Sequence, residues 1–563
     1  MKFEKNIIFK VKIEDISDTG EGIGKTDGFT WFVKDTVIGD WIEAKVMKTK
    51  KSYGFARLVR VLEPSPHRIT PLCPVARSCG GCQLQAMDYE EQLRFKETKV
   101  LNNLRRIGGV DCSEKFEPII GMEYPWNYRN KAQFPFGKNK DGKIITGFYA
   151  GRTHTIIENQ NCLIGVPENQ VILTCIQNYM EEYGISPYEE TSHTGLVRHV
   201  LIRKGFKTKQ LMVCLVINGK VKELKQAEVL VKRLLALFDG NDVNGRERIT
   251  SISCCINREK TNVIMGREIV NLYGSRGITD YIGEVQYHIS PLSFYQVNPV
   301  QTARLYETVL EYAGLTGRET VWDLYCGIGT ISLFLAKKAK KVCGVEIVSQ
   351  AILDARENAA LNRITNVEFY EGKAEEVLPE QYEKMHMRAD VVVVDPPRKG
   401  CDLKCLDTII KMAPERIVYV SCDSATLARD VRYLGENGYE VVRGRTVDLF
   451  CWSVHVETVV LLTQKNKRDY HVEIEIPIEA KDEAEYQKEQ KKATYTNIKN
   501  YIKERYGVEV HSSYIAQVRR LCGLDMRECY NKSKKEIPVK VSQCPDSKAK
   551  YIREALAYFE EIR

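Results

Sequence analysis

The chain predicts a multi-domain α/β protein: a small β-barrel, a central α/β region, a doubly wound sheet and a helical C-terminal extension. Three observations carry this. Short β-branched and aromatic runs punctuated by glycine fill residues 1–65. Between 286 and 465, apolar strand-like runs alternate with helix-patterned segments. The last 73 residues are helix-patterned and carry almost all of the positive excess. A length of 563 residues itself calls for several domains.

In chain order, Ile7–Ile13, Phe29–Val33, Trp41–Lys48 and Tyr53–Leu62 read as strands, with a glycine turn at Gly20-Glu21-Gly22-Ile23-Gly24. That is the pattern of a five-stranded barrel. Pro64, Pro66 and Pro71 mark the linker into a central region, residues 66–285. It opens with Cys73-x5-Cys79-x2-Cys82, whose glycines let backbone wrap closely around a bound group. Three thiolates cannot close a tetrahedral site, and spacing does not choose the fourth donor. The helix-like run Tyr89–Ile107 is expected to pack onto the following domain.

The third domain, residues 286–465, holds the chemistry. Val321–Tyr325 reads as a buried strand, and Cys326-Gly327-Ile328-Gly329-Thr330 as a glycine turn opening a helix at Ile331. Glycines there let a ligand approach the backbone and the helix N-terminus. The next strand ends at Glu346, 23 residues after Asp323, where a carboxylate can accept from ribose hydroxyls. The third glycine of the dinucleotide fingerprint is missing, and the loop looks like that of class I (Rossmann-like) S-adenosylmethionine enzymes. Val391–Val394 leads into Asp395-Pro396-Pro397-Arg398, with prolines fixing the chain past a strand end. Enzymes that methylate exocyclic amines usually place an aromatic residue after Pro-Pro. Arg398 stands there instead, which favours methylation at carbon. Ser421-Cys422-Asp423 follows the run Ile417–Val420, and His455-Val456-Glu457 precedes the run Val459–Leu462. A cysteine so placed is more often a small buried hydrophobe. Paired with Glu457 it supplies a nucleophile and a proton acceptor, 35 residues apart in sequence.

With Ser293-Phe294-Tyr295-Gln296-Val297-Asn298, these motifs make residues 1–465 resemble the TRAM-domain RNA uracil-C5 methyltransferases, which form 5-methyluridine in 23S rRNA or tRNA. The resemblance implies that the N-terminal barrel is a TRAM domain, an OB-like RNA-binding fold. It implies S-adenosyl-L-methionine as cofactor, contacted by Gln296, Tyr325, Glu346 and Asp395. It adds Cys162 to Cys73, Cys79 and Cys82 as ligands of a structural [4Fe-4S] cluster, with zinc the rival for the same donors. The chemistry then runs through the residues. Cys422 adds to C6 of uracil, C5 takes the methyl group, and Glu457 removes the C5 proton so that the thiolate can leave. A working thiolate needs a cation nearby, for which Arg398 and Arg429 are the candidates. A base inside a duplex is out of reach, so the target lies in a loop or is flipped. Two departures stand out: Cys451-Trp452-Ser453 before the His-Val-Glu, and Lys373, to which no role is assigned.

RNA contacts are expected from Lys48, Lys50 and Lys51, and from the turn Tyr128-Arg129-Asn130-Lys131. From Lys491 to Arg563 there are 16 Lys+Arg against 9 Asp+Glu, a net of +7 in a chain of +8. This part reads as a helix over Tyr495–Arg505, a turn at Gly507, a second helix capped by Ser512-Ser513, and a third from Ser547 to Ile562. Ile515, Val518 and Leu521 would share one face. A helix-turn-helix-like grip on phosphates is the expectation, behind a solvated acidic linker, Glu473 to Glu489. The 18 cysteines, with no secretory leader and no membrane-length apolar run, point to the cytoplasm; a monomer is expected. The target expected is 23S rRNA. The alternatives are the same chemistry on tRNA, cytosine-C5 methylation of RNA, and a non-catalytic rRNA-binding assembly protein; intact Cys422, Glu457 and Gln296 argue against the last.

Overall fold

A computed structural model describes residues 4–238, 246–465, 495–522 and 544–559. The chain divides into two units, Met1–Lys465 and Asn466–Arg563. The acidic stretch expected as a linker and the end of the last expected helix lie outside the described residues. Among the described residues, no helix is long and apolar enough to cross a membrane.

The first unit begins with a closed barrel in the order β1-β2-β3-β5-β4. Its strands are β1 (Ile8–Ile16), β2 (Gly22–Thr26), β3 (Phe29–Lys34), β4 (Trp41–Thr49) and β5 (Tyr53–Glu63). The glycine-rich stretch expected as a turn is in part a strand. A Cβ at Gly22 would lie 2.0 Å from Thr36 Oγ1, and one at Gly24 would lie 2.4 Å from the Lys12 carbonyl oxygen. The glycines there allow close approach between barrel strands rather than reversal. Val11, Ile13, Trp31, Val33, Ile42 and Val46 fill the interior.

A seven-stranded sheet follows, ordered β13-β12-β11-β10-β7-β8-β9. It is built from β7 (Lys131–Lys138), β8 (Ile144–Tyr149), β9 (Ile156–Glu158), β10 (Val197–Lys204), β11 (Gln210–Ile217), β12 (Arg248–Ile256) and β13 (Glu268–Gly274). Helices α2 (Glu168–Glu182) and α3 (Ala227–Ala236) cover one face through Ile172, Ile176, Leu230 and Leu234.

The eight-stranded sheet has the order β18-β17-β16-β19-β20-β22-β21-β6. Its members are β16 (Thr320–Leu324), β17 (Lys341–Glu346), β18 (Val367–Glu371), β19 (Val391–Val394), β20 (Arg416–Ser421), β21 (Tyr439–Val447) and β22 (Glu457–Gln464), with β6 (Phe116–Ile120) at one edge. Successive side chains of β19 alternate between two cores, as a pleated strand requires. Val391 and Val393 meet α4 (Pro299–Ala313), α5 (Thr330–Ala336) and α6 (Ser349–Leu361). Val392 and Val394 meet α7 (Ala374–Glu383), α8 (Leu403–Met412) and α9 (Ser424–Glu436).

Packing and strand pairing run across the limits expected at 65 and 285. Helix α1 (Tyr89–Arg106) packs on α9 as expected, through Val100 and Leu104, and Asn103 Nδ2 donates to Ser424 Oγ at 2.8 Å. Strand β6, from the nominal central region, pairs in parallel with β21. The hairpin β14 (Ile278–Ile282) and β15 (Val285–Ile289) straddles the expected boundary at 285. Its Ile278, Ile282 and Val285 pack into the core of α4 to α6, while Asp280 accepts from Phe206 N and Lys207 N beside β10 and β11.

The second unit contains α10 (Tyr495–Tyr506), α11 (Ser512–Leu521) and α12 (Asp546–Tyr558), around Ile498, Ile502, Ile515, Val518, Ile552 and Leu556. Gly507 has φ +64°, as the expected turn requires. Two details differ from the sequence reading. The cap of α11 is His511, whose side chain accepts from Ser513 N, and Leu521 is 75% exposed rather than part of the buried face.

Candidate active site

The sheet order explains how residues distant in sequence meet. Strand β22 runs antiparallel to β20, with Ser421 opposite Thr458. The next residue along β20 is Cys422, and the preceding one on β22 is Glu457, so the register brings thiol and carboxylate to one sheet end. Asp395 follows β19, the other neighbour of β20. Cys422 is half-buried and Glu457 is 4% exposed.

The electrostatics confirm the proximity. Burial pushes the Cys422 thiol up to about 11; Glu457 and Asp395 push the same way, and Arg398 opposes them. Burial likewise raises Glu457, Asp395 adds to it, and Arg398 again opposes. The Asp395 carboxyl is raised by burial. Of the two arginines proposed from sequence, Arg398 therefore stands at the site. Arg429 does not serve it, since its guanidinium pairs with Asp430 at 2.7 Å and donates to the Lys399 and Cys401 carbonyls. That arrangement locks the loop after Pro397. Gly400 has φ +78°, and a Cβ there would lie 2.5 Å from Arg429 Nη2. Asp423 caps α9 by accepting from Ala425 N and Thr426 N, which sets the positive end of the helix beside Cys422.

The glycine loop has the shape expected. Tyr325, Gly327 and Gly329 all have positive φ, at +70°, +55° and +79°. A Cβ on Gly327 would meet nothing within 4 Å, so this face of the turn is open. Glu346 Oε2 accepts from Gly327 N at 3.2 Å and Oε1 from Val348 N at 2.9 Å, which fixes the carboxylate beside the open turn. Tyr325 packs toward Cys401 and Cys405. Asp323, not assigned a role from sequence, is fully buried beneath the loop. Its Oδ2 accepts from Ser332 Oγ at 2.5 Å, while Oδ1 has no partner among the described residues. An open turn, a fixed carboxylate and an unpaired buried oxygen suit a ligand carrying a ribose and an amine.

Gln296 is buried, and its segment is held from the seven-stranded sheet. Asn130 Nδ2 donates to the Gln296 carbonyl at 3.0 Å, Asn130 N to the Val297 carbonyl at 2.9 Å, and Arg203 Nη2 to the Ser293 carbonyl. Two residues expected to face RNA turn inward instead: Asn130 is 3% exposed, and Tyr128, 2% exposed, donates to the Cys451 carbonyl at 3.0 Å. Burial, Arg203 and Arg129 bring the Lys131 ammonium down to about 7. Lys373, left without a role, pairs with Glu376 at 2.9 Å.

The four cysteines singled out from sequence are neighbours. Burial pushes the Cys82 thiol up to about 12, with Cys162, Cys79 and Cys73 pushing the same way. Gly81 N donates to Cys79 Sγ at 3.4 Å, and the Gly165 and Ile164 amides favour the thiolate of Cys162. Backbone donors aimed at sulfur suit thiolate ligands. No group of three or more His, Cys, Asp or Glu among the described residues has metal-holding geometry.

Comparison with known proteins agrees with this arrangement. Residues 247–465 match the family described as tRNA (Uracil-5-)-methyltransferase, and residues 3–59 match the TRAM domain. A protein of Clostridium tetani named uncharacterized RNA methyltransferase is 46% identical over 460 residues, spanning 82% of this chain and 97% of its own. The chain belongs to the RNA (uracil-5-)-methyltransferase family. A further member, from Halalkalibacterium halodurans, is 47% identical over 462 residues, 82% of this chain and 98% of its own. Among solved structures, the Pyrococcus abyssi tRNA (uracil-54, C5)-methyltransferase in complex with S-adenosyl-L-homocysteine has a TM-score of 0.64 at 27% identity, covering 81% of this chain and 99% of that one. The protein is thus an S-adenosylmethionine-dependent enzyme that methylates C5 of uracil in RNA, and it carries an N-terminal TRAM domain.

The buried carboxylate under the glycine loop leaves a measurable trace. Burial lifts Asp323 to about 7, against about 4 for an unfolded aspartate. Between these values the folded state holds a proton that the unfolded state has released. The contribution of this carboxyl to stability is fully present below about pH 4 and is lost as pH rises through 7. Asp323→Asn is expected to flatten this slope and to gain on the order of 1–3 kcal/mol over the wild type at pH 8. Urea unfolding at pH 5, 6, 7 and 8 checks it, and equal slopes for the two proteins would refute it.

Proposed function

We propose that this enzyme forms 5-methyluridine in 23S rRNA by covalent catalysis through Cys422, with Glu457 as the base. The observation that carries the reading is the β20–β22 register, which sets a partly exposed thiol beside a buried carboxylate. Gln296, Tyr325, Glu346 and Asp395 would hold S-adenosyl-L-methionine, Glu346 at the ribose. When bound, the cofactor supplies an electrophilic methyl group on a sulfonium.

The residues then divide the work. Cys422 as the thiolate bonds through its sulfur to C6, placing the electron pair of the C5–C6 double bond on an enolate. C5 uses that pair to take the methyl group. Glu457 as carboxylate removes the C5 proton, the double bond reforms, and the C6–S bond breaks to return the thiolate. Arg398 favours the charged forms of both residues and so counters part of the burial that disfavours them. A proton acceptor raised by burial is well matched to work near neutral pH.

A tRNA target is the second reading, favoured by the P. abyssi neighbour. The 23S reading rests on the TRAM domain combined with the cysteine module, a pairing that tRNA-directed relatives often lack. Unmodified 23S rRNA and bulk tRNA, each incubated with labelled cofactor and mapped by nucleoside mass spectrometry, separate the two. Label at defined 23S positions, lost with Cys422→Ala, is the expected result; label confined to tRNA would move the substrate.

Cys73, Cys79, Cys82 and Cys162 would hold a [4Fe-4S] cluster with a structural role, supported by an all-thiol donor set and by amides directed at two of the sulfurs. Iron and acid-labile sulfide are expected in the anaerobically purified protein and absent from Cys162→Ser. Stoichiometric zinc without sulfide would reassign the site.

The basic extension would add phosphate contacts. Its described helices carry Lys499, Arg505, Arg520, Lys550 and Arg553. Removing residues 480–563 should weaken RNA binding and flatten its salt dependence. Equal affinities at 50 and about 200 mM salt, read by filter binding, would remove the extension from the interface.

A further inference from the structure

The segment between β21 and Glu457 is the least regular part of the site and the most heavily held. Asp448 and Lys96 form an ion pair at 2.6 Å in which both side chains are fully buried. Tyr89 donates its hydroxyl proton to the other Asp448 oxygen at 2.8 Å and accepts from Met122 N at 2.9 Å. Lys96 also donates to the Phe450 carbonyl at 3.1 Å. Both Lys96 and Tyr89 lie on α1, outside the catalytic motifs.

Four residues further on, the chain turns through Trp452 at φ +68°, a conformation that disfavours a large side chain. The strain is met by contacts on three sides. The Trp452 carbonyl accepts from both Gln83 N and Leu84 N at 3.0 Å, in the turn that follows Cys82. Its indole donates to the Pro125 carbonyl at 2.8 Å and stacks on Trp126 with centroids 4.3 Å apart. Beyond it, Val454 packs with Ile16 and Val37 of the barrel region and with Leu84, Met87 and Phe95. Val456 enters the core beneath α9, and Glu457 follows.

We propose that residues 448–456 are a latch that sets the position of Glu457, and that Lys96, Tyr89 and Trp452 are positioning residues for the proton-abstraction step. The geometry separates the two halves of the reaction. Cys422 is held by β20, which is also paired with β19, and by the Asp423 cap of α9. The latch reaches it only indirectly, through β22 and the packing under α9. Glu457 is the first residue of its strand, so its placement depends on the chain entering from Trp452. A displaced latch leaves attack and methyl transfer intact and slows release of the product. This inference rests on the covalent reading above.

The test measures the two halves separately. The paired variant Lys96→Met/Asp448→Asn removes both buried charges together, which avoids stranding one of them. Tyr89→Phe removes a single hydroxyl and is the milder change. Each is mixed with labelled cofactor and RNA, and the protein–RNA adduct that survives denaturing electrophoresis is followed beside free 5-methyluridine. Glu457→Gln is the reference. Expected are adduct formation within about twofold of wild type, accumulation of methylated adduct, and turnover reduced on the order of a hundredfold in the paired variant, the loss that a misplacement near 1 Å produces. Tyr89→Phe should show the same pattern to a smaller degree. Adduct formation and turnover falling together in both variants would overturn the latch, as would unchanged turnover. If Glu457→Gln accumulates adduct and neither latch variant does, the latch fails alone. If Glu457→Gln gives no adduct either, the covalent reading fails and takes the latch with it.

Discussion

The site depends on one reversal of direction. Strand β22 lies antiparallel beside β20 in a sheet whose other central pairs are parallel. A parallel β22 would deliver Glu457 to the opposite end of the sheet from Cys422. Antiparallel pairing brings the start of one strand to the end of the other, and the offset between Ser421 and Thr458 fixes which two residues meet. The entry segment, its buried ion pair and the edge strand β6 all serve to keep this hairpin in place.

Gathering the groups has an electrostatic consequence. Asp323, Asp395 and Glu457 sit at neighbouring strand ends, where burial raises all three carboxyls and Asp395 acts on the other two. Such a cluster disfavours its own ionisation and readily takes up a positively charged ligand. Perturbed groups at the ends of parallel strands are a recurring mark of a working site. Burial first, and then the same carboxylates, push the Cys422 thiol upward, against the pull of Arg398.

Much of this was legible in the sequence, for a definable reason. The glycine loop, Asp395-Pro396-Pro397 and the Cys422 turn are local motifs, in which composition alone dictates a strand end or a turn. The barrel was legible as well, apart from Gly22 and Gly24, because glycine marks a tight turn and a tight contact with the same letter. What failed was non-local. Lys96 and Asp448 are 352 residues apart, and neither is unusual in its own segment. Tyr128 and Asn130 have the composition of an RNA-facing turn, yet their partners are the backbone of Cys451, Gln296 and Val297. Arg429 and Arg398 look alike in sequence and differ only because Asp430 is beside one of them.

The pairing of β6 with β21 bears on how the protein is made. Phe116 lies opposite Gly444 at the edge of the sheet, and α1, just upstream, covers a face formed by strands that follow it by hundreds of residues. During synthesis the barrel can close as soon as its five strands have left the ribosome. Helix α1 and β6 must wait, with Val100 and Leu104 uncovered, until the last third of this unit has been translated. The nascent chain therefore carries an unfinished apolar edge through most of its synthesis, and a fragment cut at the apparent domain boundary would carry one permanently.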